Sequence, residues 1–432
     1  MQVQPTVLPA DEVRARIAAD YPCLEALYRH IHAHPELSLH EERTAALLAR
    51  ELRAAGAEVT EGIGGHGVVG VLRRGDGPTI MVRGDTDALP VTERTGLPYA
   101  SAVRARDAAG REVGVMHACA HDLHTTCLAG VARALGALRD RWRGTLVLVG
   151  QPAEEHGSGA RAMLADGLFE RFPRPAACLG LHGTHTIPGG SVGSREGPFT
   201  AGVNMLDLVV RGRGGHGAMP HAAVDSVVLA ARVVLDLQTL VSRENDPLEP
   251  AVLTVGSIHG GTKHNIIPEE VRLQITVRYF SDAVRAHLLE GIERIAKAAA
   301  HGARAPEPSV IVDPEQWAPA LTNDPELARR VMSAQREALG AAQVIETPPL
   351  MGSEDFAEFI AAGVPGFYFW VGVYPPEQFA RAAGGGPPLP GLHSPEFAPD
   401  PDLSIRTGVL AMSTAALALL GPGAGAGQAA PA

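Results

Sequence analysis

A cluster of metal-binding residue types lies between residues 116 and 122, where the chain reads M-H-A-C-A-H-D. Cys119 and His121 are the natural candidates to bind one metal ion there. Imidazole and thiolate ligands suit zinc, manganese, cobalt or nickel, whereas calcium and magnesium take almost only oxygen ligands. The cluster therefore predicts a transition-metal site, which needs further ligands elsewhere in the chain.

Further candidate ligands lie at the ends of predicted strands and near the C-terminus. Glu154 and Glu155 follow the apolar run T-L-V-L-V-G, His182 ends the run A-A-C-L-G-L-H, and His393 lies in G-L-H-S-P-E-F. The carboxyl ends of parallel strands meet at the crevice where open α/β sheets hold their sites. One of two adjacent glutamates can bind metal while the other serves as general base toward a metal-activated water. We expect two metals that share a water, held by Cys119, His121, Glu155, His182 and His393.

Each of these residues also has an ordinary structural interpretation. A buried cysteine is often a small hydrophobic residue, a single histidine beside a strand is often a core residue, and paired glutamates often mark a solvated strand end. The joint occurrence of all of them favours a metal site.

Three aspartates are expected to support the ligands. Asp85 and Asp87 follow the apolar run T-I-M-V, and Asp122 follows His121. Ligating histidines usually donate their second ring hydrogen to a carboxylate or carbonyl. We therefore expect Asp85 and Asp87 to orient ligand imidazoles, and Asp122 to lie in the same supporting set.

Motifs in a fixed order extend from about residue 30 to residue 400. They are H-A-H-P-E-L-S-L-H-E, R-G-D-T-D-A-L-P, M-H-A-C-A-H-D-L-H-T-T, Q-P-A-E-E, G-H-G-A-M-P-H, N-I-I-P, G-S-E-D-F-A and L-H-S-P-E-F. In them the chain resembles the amidohydrolase subfamily of hippurate hydrolases, N-acyl-amino acid amidohydrolases and auxin-conjugate hydrolases, within the dinuclear aminoacylase and carboxypeptidase metallopeptidases. The resemblance implies the same five metal ligands, with Glu154 as the general base.

The resemblance also implies roles for two glycine-rich turns. His216 in G-G-H-G-A-M-P-H would stabilise the oxyanion of the tetrahedral intermediate. Asn265 in G-G-T-K-H-N-I-I-P, together with Arg278, would hold the free carboxylate of the substrate. Without the resemblance, both turns are tight connections, and Arg278 is equally well a solvated charge on the polar face of a strand.

The chain departs from the subfamily pattern at two positions and from the wider metallopeptidase group at a third. Ala120 stands where glycine is usual, so the turn there must tolerate a Cβ atom. Gly84 stands where alanine is common. Asp85 stands where the wider metallopeptidase group has a ligating histidine, and Cys119 takes over that coordination.

Hydrophobic periodicity predicts an α/β fold: a mainly parallel mixed sheet with flanking helices and an inserted ferredoxin-like α+β lid. The family resemblance implies that the sheet and its helices are similar to those of zinc exopeptidases. Strand and helix patterns alternate up to about residue 195 and again after about residue 313. Between them the order is β-α-β-β-α-β, and residues 271–279 alternate strictly. We expect a metal-binding catalytic domain over residues 1–197 and 313–420, a lid or dimerisation domain over 198–312, and a disordered tail over 421–432. In G-S-E-D-F-A we expect Ser353 to cap a helix whose first turn holds Glu354 and Asp355.

Composition limits the classes of partner. The chain has 432 residues and a net charge of -11, which argues against nucleic acid as a partner. Four cysteines, one assigned to metal, leave an odd number, so we expect no disulfide framework and a cytoplasmic location. The N-terminus lacks signal-peptide features, and no apolar run reaches the ~18 residues of a membrane span.

The sequence thus predicts metal-dependent hydrolysis of the amide bond of N-acyl or N-aroyl amino acids. The partners would be a small-molecule substrate and further copies of the chain, in a homodimer or homotetramer formed through the lid. Two alternatives remain open. One is a dipeptidase, carboxypeptidase, or deacylase of N-acetyl or N-succinyl diamino acids. The other is a catalytically silent metal-binding homologue.

Overall fold

A computed structural model describes residues 10–107 and 109–423. These residues form two compact units. Unit 1 contains residues 10–199, 322–348 and 355–423, and unit 2 contains residues 200–321 and 349–354. Unit 2 therefore ends later than the boundary predicted at residue 312. The last strand of its sheet begins at Ser309 and continues to Ala318, beyond the short run S-V-I-V from which that boundary was taken.

The helices are, in chain order, α1 (Ala10–Ala33), α2 (Glu42–Ala54), α3 (His121–Ala137), α4 (Gly159–Ala165), α5 (Leu168–Arg171), α6 (Ser226–Thr239), α7 (Asp282–Gly302), α8 (Pro325–Leu339), α9 (Ala357–Ala361), α10 (Pro376–Ala383) and α11 (Pro401–Leu419). Local sequence explains several of their starts. Asp324 and Asp400 each precede a proline and accept a hydrogen bond from a backbone N–H of the first turn, so α8 and α11 begin with an aspartate cap and proline at the first helical position.

The strands are β1 (Glu58–Ile63), β2 (Gly67–Arg74), β3 (Thr79–Asp85), β4 (Arg104–Arg106), β5 (Glu112–Gly114), β6 (Trp142–Gln151), β7 (Ala177–Pro188), β8 (Val192–Ser194), β9 (Gly197–Thr200), β10 (Gly202–Arg211), β11 (Gly215–His216), β12 (Ala251–Gly260), β13 (Ile266–Ile267), β14 (Glu270–Tyr279), β15 (Ser309–Ala318), β16 (Leu321–Asn323), β17 (Val344–Glu346), β18 (Gly366–Tyr374) and β19 (Gly421–Pro422).

The central sheet of unit 1 has the order β1-β2-β6-β3-β7-β18-β8-β17. Its middle strands β6, β3, β7 and β18 are parallel, and β1, β2 and β8 add antiparallel pairs around them. Asp85 at the end of β3 pairs in register with Gln151 at the end of β6, and His182 on β7 pairs with Trp370 on β18. The predicted mainly parallel sheet with flanking helices is confirmed, and the ends of β3 and β6 lie side by side. His182 does not end its strand as expected, because β7 continues to Pro188.

Helix α11 lies in the core of unit 1. It packs against α1, α3 and α8 and beside β18, and most of its residues are buried. By length and composition alone it could cross a membrane, although no apolar run of that length was expected from the sequence. Its buried environment explains its apolar character, because a helix that is hydrophobic all round is buried within a large protein as well as in membranes.

Unit 2 has the predicted ferredoxin-like arrangement. Its antiparallel sheet has the order β12-β14-β10-β15, and the chain order of strands and helices is β10, α6, β12, β14, α7, β15. The alternating residues predicted to share one face of β14 are all buried, in a core formed with α6 and α7. These residues are Val271, Leu273, Ile275, Val277 and Tyr279.

The disordered tail was predicted to begin at residue 421, which is too early. Gly421 and Pro422 pair with Arg143 and Trp142 of β6, and Gly423 N–H donates to the carbonyl of Arg141. These backbone hydrogen bonds hold the chain to the sheet through residue 423. Residues 424–432 of the predicted tail lie outside the described residues.

Candidate metal centre

Cys119 and His121 lie at the start of α3. Ala120 between them is the residue that precedes the helix, and its φ is 64°. This is the left-handed region that glycine favours, in agreement with glycine being the usual residue at this position. Alanine differs from glycine by one methyl group. The turn places a thiol and an imidazole side by side next to the end of β3.

Cys119 belongs to two groups of candidate metal ligands. Its Sγ is 3.4 Å from His182 Nε2 and 3.3 Å from His393 Nε2. One group joins Cys119, His121 and His182, and the other joins Cys119, Glu155 and His393, with the ligand atoms of each group within 4.8 Å of one another. The structure therefore brings together all five residues that the sequence nominated as metal ligands.

His121 presents an unused nitrogen to this centre. Its Nδ1 donates to the backbone carbonyl of Asp87, 2.9 Å away, and lies 3.1 Å from Asp87 Oδ1. Its Nε2 is buried and has no hydrogen-bond partner among the described residues. Burial alone would lower the pKa of His121, but the carboxylates of Asp85 and Asp87 raise that pKa well above its ordinary value. The same negative charge that favours a proton on Nε2 would favour a metal cation there.

His182 has a defined tautomer. Its Nδ1 lies 2.7 Å from the carbonyl oxygen of Gly183, which can only accept, so Nδ1 carries the hydrogen. The lone pair of Nε2 is then directed toward Cys119. Burial, reinforced by the nearby His124, holds the pKa of His182 well below its usual value. A neutral imidazole with an outward lone pair is the form that binds metal.

His393 reaches the centre from the C-terminal part of unit 1. Its backbone has φ of 66°, and its N–H donates to the carbonyl of Ala118, 2.8 Å away. A left-handed histidine is uncommon, and such strained residues cluster at functional sites. Its Nε2 lies 3.4 Å from Glu155 Oε1, and interaction with that carboxylate raises the pKa of His393.

The donors fit a transition metal. Burial, together with the nearby Glu155 carboxylate, raises the pKa of the Cys119 thiol well above its ordinary value, so the metal-free thiol is protonated. A bound divalent cation would reverse this, since a coordinating thiol is deprotonated outright. The unpartnered Nε2 of His121 and the mixed sulfur, nitrogen and oxygen donor set match zinc, manganese, cobalt or nickel.

Glu154 lies at the edge of the donor set. Its Oε2 is 3.8 Å from His121 Nε2, and its side chain is 11% exposed. Asp87 Oδ2 accepts the backbone N–H of Glu155, which ties the turn of the two glutamates to the end of β3. Both glutamates therefore face the same centre.

Asp85 contacts His124, which is not among the predicted site residues. Its Oδ1 lies 2.5 Å from Nδ1 of His124, whereas its Oδ2 is 3.7 Å from Nε2 of His121. The N–H of Gly183 donates to Nε2 of His124, so Nδ1 carries the hydrogen that Asp85 accepts. Both ring nitrogens of His124 are thus occupied. The sequence offered no signal for the supporting role of His124, because the partners of His124 are distant in the chain.

A buried network behind Asp85 includes Asp355 of the G-S-E-D-F-A motif. Arg83, which is fully buried, contacts Asp85 Oδ2 at 2.6 Å and Asp355 Oδ1 at 3.0 Å. Gln151 donates to both oxygens of Asp355. Burial alone would raise the pKa of Asp85, but the Arg83 guanidinium and the nearby histidines hold it well below its usual range. The expectation that Ser353 caps a helix with Asp355 in its first turn is wrong, because α9 begins only at Ala357.

The Asp122 carboxylate contacts His32 rather than orienting one of the predicted ligand histidines. Its Oδ2 lies 2.7 Å from Nδ1 of His32, whose Nε2 is 3.0 Å from Glu93 Oε1. Burial opposes the charged form of His32, but the two carboxylates raise the pKa of His32 to about 9. Asp122 thus fastens α3 to the end of α1.

In unit 2 the two glycine-rich turns lie side by side. β11 and β13 pair His216 with Ile266, and Gly217 N–H donates to the carbonyl of Asn265. Ala218 N–H donates to His216 Nδ1 at 3.0 Å, so the ring hydrogen of the neutral imidazole is on Nε2. His216 is exposed.

Arg278 lies away from these turns. The strand β14 begins at Glu270, close to β13, and Arg278 is the ninth of its ten residues. Eight steps along a strand span about 27 Å at ~3.4 Å per residue. Arg278 Nη1 donates to the carbonyl of Met351, 2.7 Å away, so the guanidinium is not simply solvated. Within one copy of unit 2, Asn265 and Arg278 cannot hold the same carboxylate.

Comparison with known proteins identifies the family of this chain. A model of peptidase family M20/M25/M40 matches residues 81–383. The chain is 36% identical over 370 residues to IAA-amino acid hydrolase ILR1-like 4 of Arabidopsis thaliana, covering 85% of this chain and 79% of that protein. It is 36% identical over 352 residues to an N-acetyl-L-cysteine deacetylase of Bacillus subtilis, covering 81% and 80%.

A solved structure matches both units in sequence and fold. The YXEP protein of Bacillus subtilis, a dinuclear metal-binding peptidase of the M20 family, aligns with a TM-score of 0.76 and 29% identity. The alignment covers 93% of this chain and 98% of that one. The resemblance found in the motifs is thereby confirmed, and the chain belongs to peptidase family M20/M25/M40.

Proposed function

We propose that the protein hydrolyses the amide bond of N-acyl or N-aroyl amino acids, with two divalent transition-metal ions at Cys119, His121, Glu155, His182 and His393. The observation that carries the proposal is the pair of donor groups that share Cys119, with the Glu154 carboxylate beside them. The relatives that include an auxin-conjugate hydrolase and an N-acetylcysteine deacetylase support acyl amino acids as the substrate class.

In this proposal Glu154 is the general base. Its carboxylate would accept a proton from the attacking water and deliver it to the leaving amine. Bound metals would lower the pKa of that water and polarise the scissile carbonyl. Asp87 would hold His121 in the tautomer whose Nε2 faces the centre, and Asp85 would keep His124 from entering it.

The Nε2–H of His216 would stabilise the oxyanion. Because Asn265 lies beside His216 and Arg278 lies at the far end of β14, one substrate carboxylate could meet both only if two subunits contribute. We therefore place His216 and Asn265 in the site of a neighbouring subunit, with unit 2 as the lid of a cytoplasmic homodimer or homotetramer. Removing one such oxyanion donor costs roughly 10²- to 10³-fold in kcat.

Mixed dimers test the shared site. His216→Ala and Glu154→Ala are each expected to inactivate the protein when alone. Random mixing of the two should recover about a quarter of wild-type activity. Half of the dimers formed contain one copy of each variant, and one of the two sites in each such dimer is intact. Recovery is measured after denaturing and refolding the two variants together. Mixtures that remain as inactive as either parent, although native mass spectrometry shows mixed dimers, would place His216 in its own subunit's site.

A substrate panel tests the reaction itself. Metal-stripped protein is refilled with zinc, manganese, cobalt or nickel and supplied with N-acetyl, N-benzoyl, long-chain acyl and indole-acetyl amino acids and with dipeptides. We expect release of free amino acid from one acyl class, only with metal present. Cleavage confined to dipeptides would assign a peptidase, and no cleavage with two metals bound would assign a silent homologue.

A further inference from the structure

The segment between α1 and α2 contains the motif H-P-E-L-S-L-H-E, to which the proposed mechanism gives no task. The motif ends at Glu41, whose side chain is fully buried. Glu41 is the residue that precedes α2, yet its side chain makes no capping hydrogen bond to that helix. Glu36 does that instead, since its carboxylate accepts the N–H groups of Arg43 and Thr44. The burial of Glu41 therefore needs another explanation.

The Glu41 carboxyl reaches the turn that carries the two site glutamates. Its Oε1 accepts the N–H of Ala153 at 2.8 Å and the N–H of Leu39 at 3.0 Å. Ala153 has φ of 52°, a conformation that residues other than glycine rarely adopt. The hydrogen bond thus holds an uncommon backbone conformation immediately before Glu154 and Glu155.

A second link joins the same segment to the same turn. Ser38 Oγ donates to Asp87 Oδ2 at 2.7 Å, and that oxygen also accepts the N–H of Glu155 at 3.0 Å. The segment of residues 38–41 therefore supports the glutamate turn on both sides, through Ala153 and through Glu155.

The arrangement is costly for the fold alone. Glu41 Oε2 is buried and has no hydrogen-bond partner among the described residues. Burial, together with the nearby Asp87 carboxylate, raises the pKa of Glu41 to about 7. Unsatisfied buried polar atoms are rare, and those that persist often have a functional reason.

We propose that Glu41 is a positioning residue: its carboxyl holds the Ala153 peptide so that Glu154 and Glu155 face the metal centre. This inference rests on the proposed function, and adds to it a residue outside the ligand set that acts through the backbone. It predicts that the geometry of the carboxyl group, rather than its charge, matters. An amide oxygen at the same place can accept both N–H groups.

The test compares three full-length variants with the wild type. Glu41→Ala removes the acceptor, and Glu41→Gln keeps it. Glu36→Ala is the matched control, since it removes a half-buried carboxylate from the same segment without touching Ala153. Amide hydrogen exchange of a peptide spanning residues 152–157 reports the turn without any metal. Titration of metal-free protein with cobalt(II), followed by visible absorption, reports the ligand geometry. If Glu41→Ala does not fold, Glu41→Asp, one methylene shorter, replaces it.

We expect Glu41→Ala to speed exchange at Ala153 and to weaken cobalt affinity and kcat by roughly 10- to 100-fold, as for other residues that orient ligands. Glu41→Gln should stay close to the wild type in all three, and Glu36→Ala should change stability only. Equal losses in Glu41→Ala and Glu36→Ala, or unchanged exchange and cobalt affinity in Glu41→Ala, would overturn the assignment. If the wild type cleaves no acyl amino acid, the proposed function fails, and the exchange and cobalt comparisons still decide the role of Glu41.

Discussion

Glu154→Gln is expected to lower kcat by roughly 10³-fold or more, which is near the upper range for loss of a general base. The amide has nearly the same shape as the carboxylate but cannot take the proton of the attacking water. Metal content should stay at the wild-type level, because the proposed ligands are untouched. The measurements are kcat with saturating metal and substrate, and metal per subunit by mass spectrometry.

Glu155→Gln is the matched comparison, because it changes the adjacent carboxylate that belongs to the second donor group. This variant should lose metal affinity as well as activity, since a neutral amide is a weaker ligand than a carboxylate. Metal content therefore distinguishes the role of Glu154 from that of Glu155. Wild-type turnover in Glu154→Gln would refute its role as base, and loss of metal equal to that of Glu155→Gln would make Glu154 a ligand.

Cys119→Ala is expected to reduce bound metal below two ions per subunit and to bring turnover to the background rate. Cys119 is common to both groups that would hold metal, so its removal weakens both at once. A water that no metal activates has a pKa about 8 to 9 units higher than one on zinc, which leaves little nucleophile at neutral pH. Equilibrium dialysis against limiting zinc, followed by metal analysis and a rate assay, measures both effects.

Cys127→Ala controls for the loss of a buried thiol. Cys127 is also buried on α3 and lies in none of the donor groups found among the described residues. Its replacement should cost about 1 kcal/mol of stability through a small cavity and leave metal content and turnover close to the wild type. Two metals and turnover within tenfold of the wild type in Cys119→Ala would exclude Cys119 as a ligand.

Much of this architecture followed from local patterns. The alternation of short apolar runs with helical stretches predicted the mainly parallel sheet, and the strict alternation of residues 271–279 predicted one buried strand face. Both were confirmed because period-2 and period-3.6 patterns record which side chains face a core. Domain bounds and the start of the tail were less accurate. These boundaries depend on backbone hydrogen bonds, such as those of Gly421 and Gly423. The pattern of apolar and polar side chains does not predict such bonds.

The sequence by itself determined which residue types could form a metal centre, since Cys119 and His121 share one short motif while Glu155 and His182 lie at the ends of apolar runs. Only the tertiary structure decided which of these side chains have an unused ligand atom. His121 and His124 are three residues apart on one helix, yet Nε2 of His121 has no hydrogen-bond partner in the described part of the chain, while Nε2 of His124 accepts the N–H of Gly183. A histidine's tautomer depends on its hydrogen-bond partners, and here those partners come from strands that are distant in sequence.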